Sequence, residues 1–188
     1  MKIIIHSLLF ILTLGIFSVT SDKLSTIEQK EMTQQEGGPQ SPLSDEDFIT
    51  GMIEHHDGAI AMSKNVLTKS KRPELKQLAQ NIITAQSSEI DQMYEWRKGW
   101  FNESAHIEMR MGEEMPSMAI DLGSADSEFD RRYLDAMIKH HEGAITMAKQ
   151  VLLPTDRAEI HDLAKNIITT QTSEITIMQN YLKEWYAK

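Results

Sequence analysis

The residues best suited to chemistry in this sequence are two short stretches that combine methionine with paired histidines. MIEHHDGAIAM (52–62) and MIKHHEGAITM (137–147) lie 85 residues apart, and each places Met three residues before a His-His pair. At helical spacing these side chains share one face, which also carries the apolar residues and must therefore turn inward. Thioether and imidazole groups are soft or borderline donors that favour Cu(I) over Mg(II) or Ca(II). The pattern predicts a buried site for a soft metal ion.

A second pattern places polar side chains within an otherwise apolar helical stripe. A carboxylate directed at a core needs a partner, because burying it alone is strongly unfavourable. The inward histidines are the nearest candidates, and a glutamate there would orient a ligating imidazole through its second nitrogen. The residues expected to surround the metal ligands in this way are Gln86, Glu89, Met93, Gln171, Glu174 and Met178.

The segment between the two copies contains a further group of methionines. Four Met and one His fall within 13 residues of a polar, glutamate-containing stretch, where a core role explains them poorly. They indicate a second, more exposed soft-metal site, the alternative being that they pack over one end of the fold. The residues are His106, Met109, Met111, Met115 and Met118.

The elements that position these residues come from an internal duplication. Residues 47–101 and 132–186 align without a gap at a shift of 85, with 26 of 55 positions identical. Each copy holds two amphipathic helical patterns with apolar residues at the 3.6-residue period. One helical hairpin leaves its apolar face uncovered, and two hairpins can cover each other. The sequence therefore predicts an all-α, ferritin-like four-helix bundle made of two duplicated hairpins.

Helix boundaries follow from capping residues. Ser44 is a good N-cap with Asp47 three residues on, so the first helix is expected to start at Ser44 or Asp45. Pro73 is suited to the first turn of the second helix. The predicted second, third and fourth helices cover 74–99, 128–153 and 156–186.

The domain organisation is predicted from composition. Lys2 followed by a mostly apolar run to residue 19 and small residues at its end is typical of a secretory signal peptide, assigned to 1–20. An uncleaved anchor is the alternative, and either would export the chain. A polar, flexible linker is expected over 21–44. The bundle domain follows at 45–188, with repeat one at 45–101, the Met-rich crossover at 102–127 and repeat two at 128–186.

Composition and motifs exclude several function classes. The chain of 188 residues carries 19 Lys plus Arg against 28 Asp plus Glu, which disfavours a nucleic-acid partner. The absence of Cys rules out disulfides, thiolate metal sites and Cys nucleophiles. No Ser-His-Asp order, phosphate loop or nucleotide fingerprint is present, so we expect a binding protein and not an enzyme.

The motif HHxGAIxM, followed by NIIxxQxxEIxxM, resembles the exported bacterial family called domain of unknown function 305. The resemblance covers about residues 44–188. It implies a four-helix bundle and, for characterised members, periplasmic copper binding and copper tolerance through Met and His. The ligands that it implies in this sequence are Met52, His55, His56, Met62, Met137, His140, His141 and Met147.

The leading hypothesis is an exported, periplasmic or secreted protein that sequesters or carries Cu(I), with Ag(I) as a second candidate ion. Its partners would be the metal ion and another copper-handling protein, without stable membrane insertion after signal cleavage. One alternative is a metal-free helical interaction module, in which the histidines are core residues. The other, a ferritin-like iron or manganese enzyme, is weakened because Met52 and Met137 stand where such centres use Glu.

Overall fold

The computed structural model describes residues 41–101 and 119–187, which form four α-helices. Their bounds are α1 Asp45–Lys69, α2 Pro73–Phe101, α3 Phe129–Val151 and α4 Ala158–Tyr186. The predicted all-α, four-helix bundle is confirmed, and the start of α1 and both ends of the other three helices lie within about two residues of their predicted positions. In these two ranges, no helix combines the length and the apolar character that a bilayer crossing requires.

The start of α1 shows how local chemistry fixes a helix boundary. The backbone N–H of Asp47 donates to Ser44 Oγ at 3.1 Å, which satisfies one of the unpaired amides of the first turn. The first turn is also acidic, which suits the positive end of the helix dipole. Pro73 is the first residue of α2, where its missing N–H costs no hydrogen bond.

The helices are arranged as two hairpins, α1 with α2 and α3 with α4, which meet chiefly through α1 and α3. Two apolar clusters fill the interior. The first joins the N-terminal parts of α1 and α4 to the C-terminal parts of α2 and α3. The second lies towards the other end and includes residues of α1 beyond its midpoint, the start of α2 and the start of α3. The midpoints of all four helices fall between the two clusters.

Arginine contacts join the two hairpins near the ends of the bundle. Arg72 Nε lies 3.4 Å from Asp130 Oδ2, and its guanidinium lies 4.1 Å from the centroid of the Trp185 ring. The equivalent contacts, at the shift of 85 residues, are made by Arg157 with Asp45 at 3.2 Å and with Trp100 at 4.3 Å. Each arginine therefore binds an acidic and an aromatic residue of the opposite hairpin. We call these two groups the arginine clamps.

One hydrogen bond breaks the symmetry of the duplication. Ser63 Oγ and Tyr133 Oη, both fully buried, lie 3.0 Å apart across the α1–α3 interface. The equivalent positions in the other copies hold Ala148 and Phe48, which are also buried but carry no hydroxyl. The two ends of the interface are therefore chemically different.

Several sequence predictions fall on residues outside the described ranges. These are the signal peptide at 1–20, most of the linker, and residues 102–118 of the crossover with His106, Met109, Met111, Met115 and Met118. The end of the predicted linker is described. There Leu43 packs against the first apolar cluster, and its N–H donates to the carbonyl of Gln150 at 3.4 Å.

Candidate metal centre

Four histidines form a buried layer at the middle of the bundle, between the two apolar clusters. His56 and His141 are fully buried, and His55 and His140 are only 6% and 8% exposed. They lie near the midpoints of α1 and α3, the two helices through which the hairpins meet. The inward orientation expected from the helical period is therefore what the structure shows. We call these four residues the histidine layer.

Within this layer, His55 and His140 bring the two hairpins into direct contact. Their ring centroids lie 3.7 Å apart, with the planes inclined by 52°. Burial and the neighbouring imidazoles lower the pKa of His55 to about 4 and that of His140 to about 3. Both rings are therefore neutral near pH 7, and each keeps a nitrogen lone pair that can bind a cation.

The other two histidines are each held by a glutamate of the same hairpin. His56 Nε2 donates to Glu89 Oε2 at 2.6 Å, and His141 Nε2 donates to Glu174 Oε2 at 2.7 Å. A carboxylate accepting from Nε2 assigns the proton to that nitrogen and leaves the lone pair on Nδ1. This is the arrangement in which a carboxylate orients a metal-ligating imidazole from behind.

Buried polar atoms without a hydrogen-bond partner are concentrated at this level of the bundle. Buried polar groups in native proteins are almost always satisfied, so these atoms mark a place where a bound ion or an ordered water would complete the hydrogen bonding or coordination. Imidazole nitrogen and amide oxygen atoms can bind a metal cation through their lone pairs. The atoms are His55 Nδ1, His56 Nδ1, His140 Nδ1 and Nε2, His141 Nδ1, Gln86 Oε1 and Gln171 Oε1.

The histidine layer is not by itself a closed cage. Within residues 41–101 and 119–187, no group of three or more His, Asp or Glu side chains is arranged to hold a metal ion. A metal at this level therefore needs further donors or a rotation of the rings. Thioethers are soft donors that can complete such a set.

The candidate methionines flank the histidine layer on both sides. Met52 and Met93 belong to the first apolar cluster, and the partly buried Met147 packs against it. The other three, Met62, Met137 and Met178, belong to the second cluster. The structure thus divides the thioethers between the two clusters and does not gather them in one ring.

Tyr133 is a neighbour of the site that the sequence pattern did not single out. Its hydroxyl is paired with Ser63, and burial together with the charge of Glu174 raises the pKa of Tyr133 above its usual value. Tyr133 lies about two turns before His140 on α3. The available signal was the replacement of Phe48 of the first copy by Tyr133 in the second.

Comparison with solved structures identifies proteins that are similar to this chain in sequence and fold. The match with CopM covers 77% of this chain and 99% of the CopM chain. Its Cu(II)-bound form gives a TM-score of 0.68 at 37% identity, and its Cu(I)-bound form gives 0.66 at 36%. A silver-bound form, prepared by soaking, gives 0.66 at 35% identity. This shared fold extends over almost the whole of CopM.

Two further relatives were found. A DUF305 protein of Streptomyces coelicolor, described as secreted, is 32% identical with a TM-score of 0.62, covering 73% of this chain and 90% of its own. Uncharacterized protein L153 of Acanthamoeba polyphaga mimivirus is 44% identical over 54 residues. That alignment covers 29% of this chain and 36% of the viral protein, so the chain spans little more than a third of that relative's length.

A family assignment follows from the sequence itself. Residues 21–97 and 45–182 match the family described as Domain of unknown function (DUF305). The two matches together cover most of the chain, and the solved relatives share the four-helix fold. The resemblance stated from the HHxGAIxM motif is confirmed, and the chain belongs to the DUF305 family.

Proposed function

We propose that this chain is an exported copper-binding protein that sequesters or carries Cu(I), and also accepts Ag(I), through His and Met ligands. The observation that carries the proposal is the histidine layer with its unsatisfied ring nitrogens. It is supported by the likeness to CopM, whose structures include Cu(I)-, Cu(II)- and silver-bound forms. The secreted description of the Streptomyces relative supports export.

The ligand chemistry follows from the protonation states of the layer. His55 and His140 are neutral near pH 7, so copper need not displace a proton from them. His56 and His141 present Nδ1, because Nε2 is committed to a glutamate. Imidazole ligands alone can bind either Cu(I) or Cu(II). Buried thioether ligands make the site prefer Cu(I).

The flanking methionines supply these thioethers. Met52 and Met137 stand one turn before the histidines in α1 and α3, and both are fully buried. Met62 and Met147 follow the histidines in the same helices, on the opposite sides of the layer. Copper is the cargo of such a protein, so the proposal assigns no catalytic residue.

An anaerobic Cu(I) competition titration of the purified chain tests this function. The informative variant changes His55, His56, His140 and His141 to Ala, with circular dichroism to verify the helical fold. The matched control is His161→Ala, which removes a histidine of α4 that lies outside the layer. We expect tight Cu(I) binding in the unaltered chain and in the control, and strongly weakened binding in the folded quadruple variant.

The other outcomes identify the competing assignments. Full Cu(I) affinity in the quadruple variant would place the main site in the Met-rich crossover. No Cu(I) binding by the unaltered chain would reject the proposal and favour a metal-free interaction module. Parallel titrations with Zn(II) and Fe(II) measure selectivity, since a soft-donor site should prefer Cu(I).

A further inference from the structure

Gly143 of α3 lies against the edge of the His55 ring. A Cβ built on Gly143 would stand 3.0 Å from His55 Nε2, and 3.9 and 4.0 Å from its Cε1 and Cδ2 atoms. The His140 ring, one turn earlier on α3, lies 3.7 Å from the His55 ring. The His55 imidazole therefore packs against two parts of α3, the His140 ring and the backbone at Gly143.

The local backbone does not require glycine at this position. Gly143 lies within α3 and does not have a positive φ. Within the described ranges, the glycine with a positive φ is Gly123. Glycine inside a helix lowers stability relative to alanine, because glycine loses more conformational freedom on folding. Helix formation alone therefore does not explain why glycine is present here. What Gly143 provides is space, and the atoms that use this space belong to His55. Gly58 holds the same position in the first copy of the repeat.

We infer that Gly143 is a positioning residue of the copper site: its missing side chain allows the His55 imidazole to lie against His140. The expected effect on copper affinity rests on the proposed function. The expected displacement of the His55 ring rests only on the contact geometry and can be measured without metal. An alanine at position 143 must displace the His55 ring, since a 3.0 Å contact is tighter than such atoms normally adopt. Helix stability and copper affinity should therefore respond in opposite directions to this substitution.

Gly143→Ala is the test variant, and Gly99→Ala is its matched control. Both place alanine within a helix, but a Cβ at Gly99 meets nothing within 4 Å. The first measurement is the imidazole NMR spectrum of the metal-free full chain. We expect displaced His55 and His140 ring resonances in Gly143→Ala and unchanged resonances in Gly99→Ala.

The second measurement is Cu(I) affinity, read together with the melting temperature. We expect Gly143→Ala to bind Cu(I) about tenfold more weakly, the lower end of the losses seen when a ligand's support is removed. Its melting temperature shows whether the fold accommodates the displaced ring, because alanine favours the helix while the contact with His55 opposes the substitution. In a His55→Ala background, Gly143→Ala should have no further effect on affinity, because the group that it displaces is gone.

The outcomes separate this inference from the proposed function. Unchanged ring resonances and unchanged Cu(I) affinity in Gly143→Ala would overturn the inference. A chain that binds no Cu(I) would reject the proposed function, while the metal-free spectra would still decide whether Gly143 positions His55. If Gly143→Ala fails to fold, the double variant with His55→Ala decides: recovery supports the contact with His55, and continued failure overturns it.

Discussion

The imidazole of His55 in the first hairpin packs against that of His140 in the second, with ring centroids 3.7 Å apart. Since each hairpin holds one further histidine on its own glutamate, the layer is assembled from both halves of the chain. A metal bound here would link α1 to α3 across the interface between hairpins. Site and interface should therefore respond to the same substitutions.

The glutamates behind His56 and His141 should tune metal affinity. Replacing Glu89 or Glu174 by Gln removes the negative charge that fixes the ring orientation and strengthens the imidazole as a donor. We expect Cu(I) affinity to fall by about 10- to 100-fold for each substitution. Glu95→Gln, at an exposed position of the same helix as Glu89, is the control for charge alone. Equal Cu(I) affinities in the Glu89→Gln, Glu174→Gln and Glu95→Gln variants would show that Glu89 and Glu174 do not support the metal ligands.

The metal-free protein should lose stability as the pH falls. The pKa of His55 is about 4 and that of His140 about 3 in the fold, against an ordinary value of 6.5. The unfolded chain therefore binds more protons below pH 6.5, and unfolding becomes easier as the pH falls towards 3. The titratable groups that act on both rings are His56 and His141, and His55 also acts on His140.

The expected slope is up to about 1.4 kcal/mol per pH unit for each of the two histidines. Urea denaturation at pH 7, 6 and 5 measures it, with a His55→Gln, His140→Gln double variant as the comparison. The difference in unfolding free energy between the two proteins should change with pH. A constant difference over this range would show that these histidines do not titrate as the structure requires.

The buried hydroxyl pair should behave as a unit. Ser63→Ala leaves the Tyr133 hydroxyl buried without its partner and should cost about 1–3 kcal/mol. Tyr133→Phe should have a similar but smaller effect, because the hydroxyl of a helical serine can donate instead to the backbone carbonyl one turn earlier. The double variant should recover part of this loss, since Phe48 and Ala148 fill the equivalent positions. Thermal unfolding of the three variants forms a double-mutant cycle, and strict additivity would contradict the pairing.

The arginine clamps should stabilise the contact between hairpins. Arg157→Ala removes an ion pair with Asp45 and the contact with the Trp100 ring, and should cost about 1 kcal/mol because the side chain is partly exposed. Arg157→Lys should not restore this, since lysine lacks the planar group that stacks on an indole. Urea denaturation with Lys139→Ala as an exposed control checks the effect. Full recovery by lysine would reduce the clamp to simple charge pairing.

Much of the fold was predictable because its determinants are local. Ser44 and Pro73 mark helix starts through hydrogen bonding and backbone geometry that involve only their neighbours. Glu89 was expected to meet an inward histidine, since a carboxylate within an apolar stripe needs a partner. The structure supplies His56 as that partner, at 2.6 Å.

Periodicity predicted that the two hairpins would pack together, but not which of their helices would meet. A helical period tells which face of a helix is buried, but not which helix covers it or in what register. The period therefore gave no sign that His55 would meet His140. The same limit applies to the methionines, which share a face with the histidines along the chain but belong to separate apolar clusters.

The arginine clamps also describe how the two copies depend on each other. Arg72 binds Asp130, and its duplicate Arg157 binds the duplicate partner Asp45. Such reciprocal contacts are the signature of an isologous interface, the kind that identical subunits form around a two-fold axis. Carrying both copies on one chain makes this association intramolecular, governed by an effective concentration instead of a bulk one. The layer of rings at the interface would therefore persist when the protein is diluted, whereas the association of two separate hairpins would weaken with dilution.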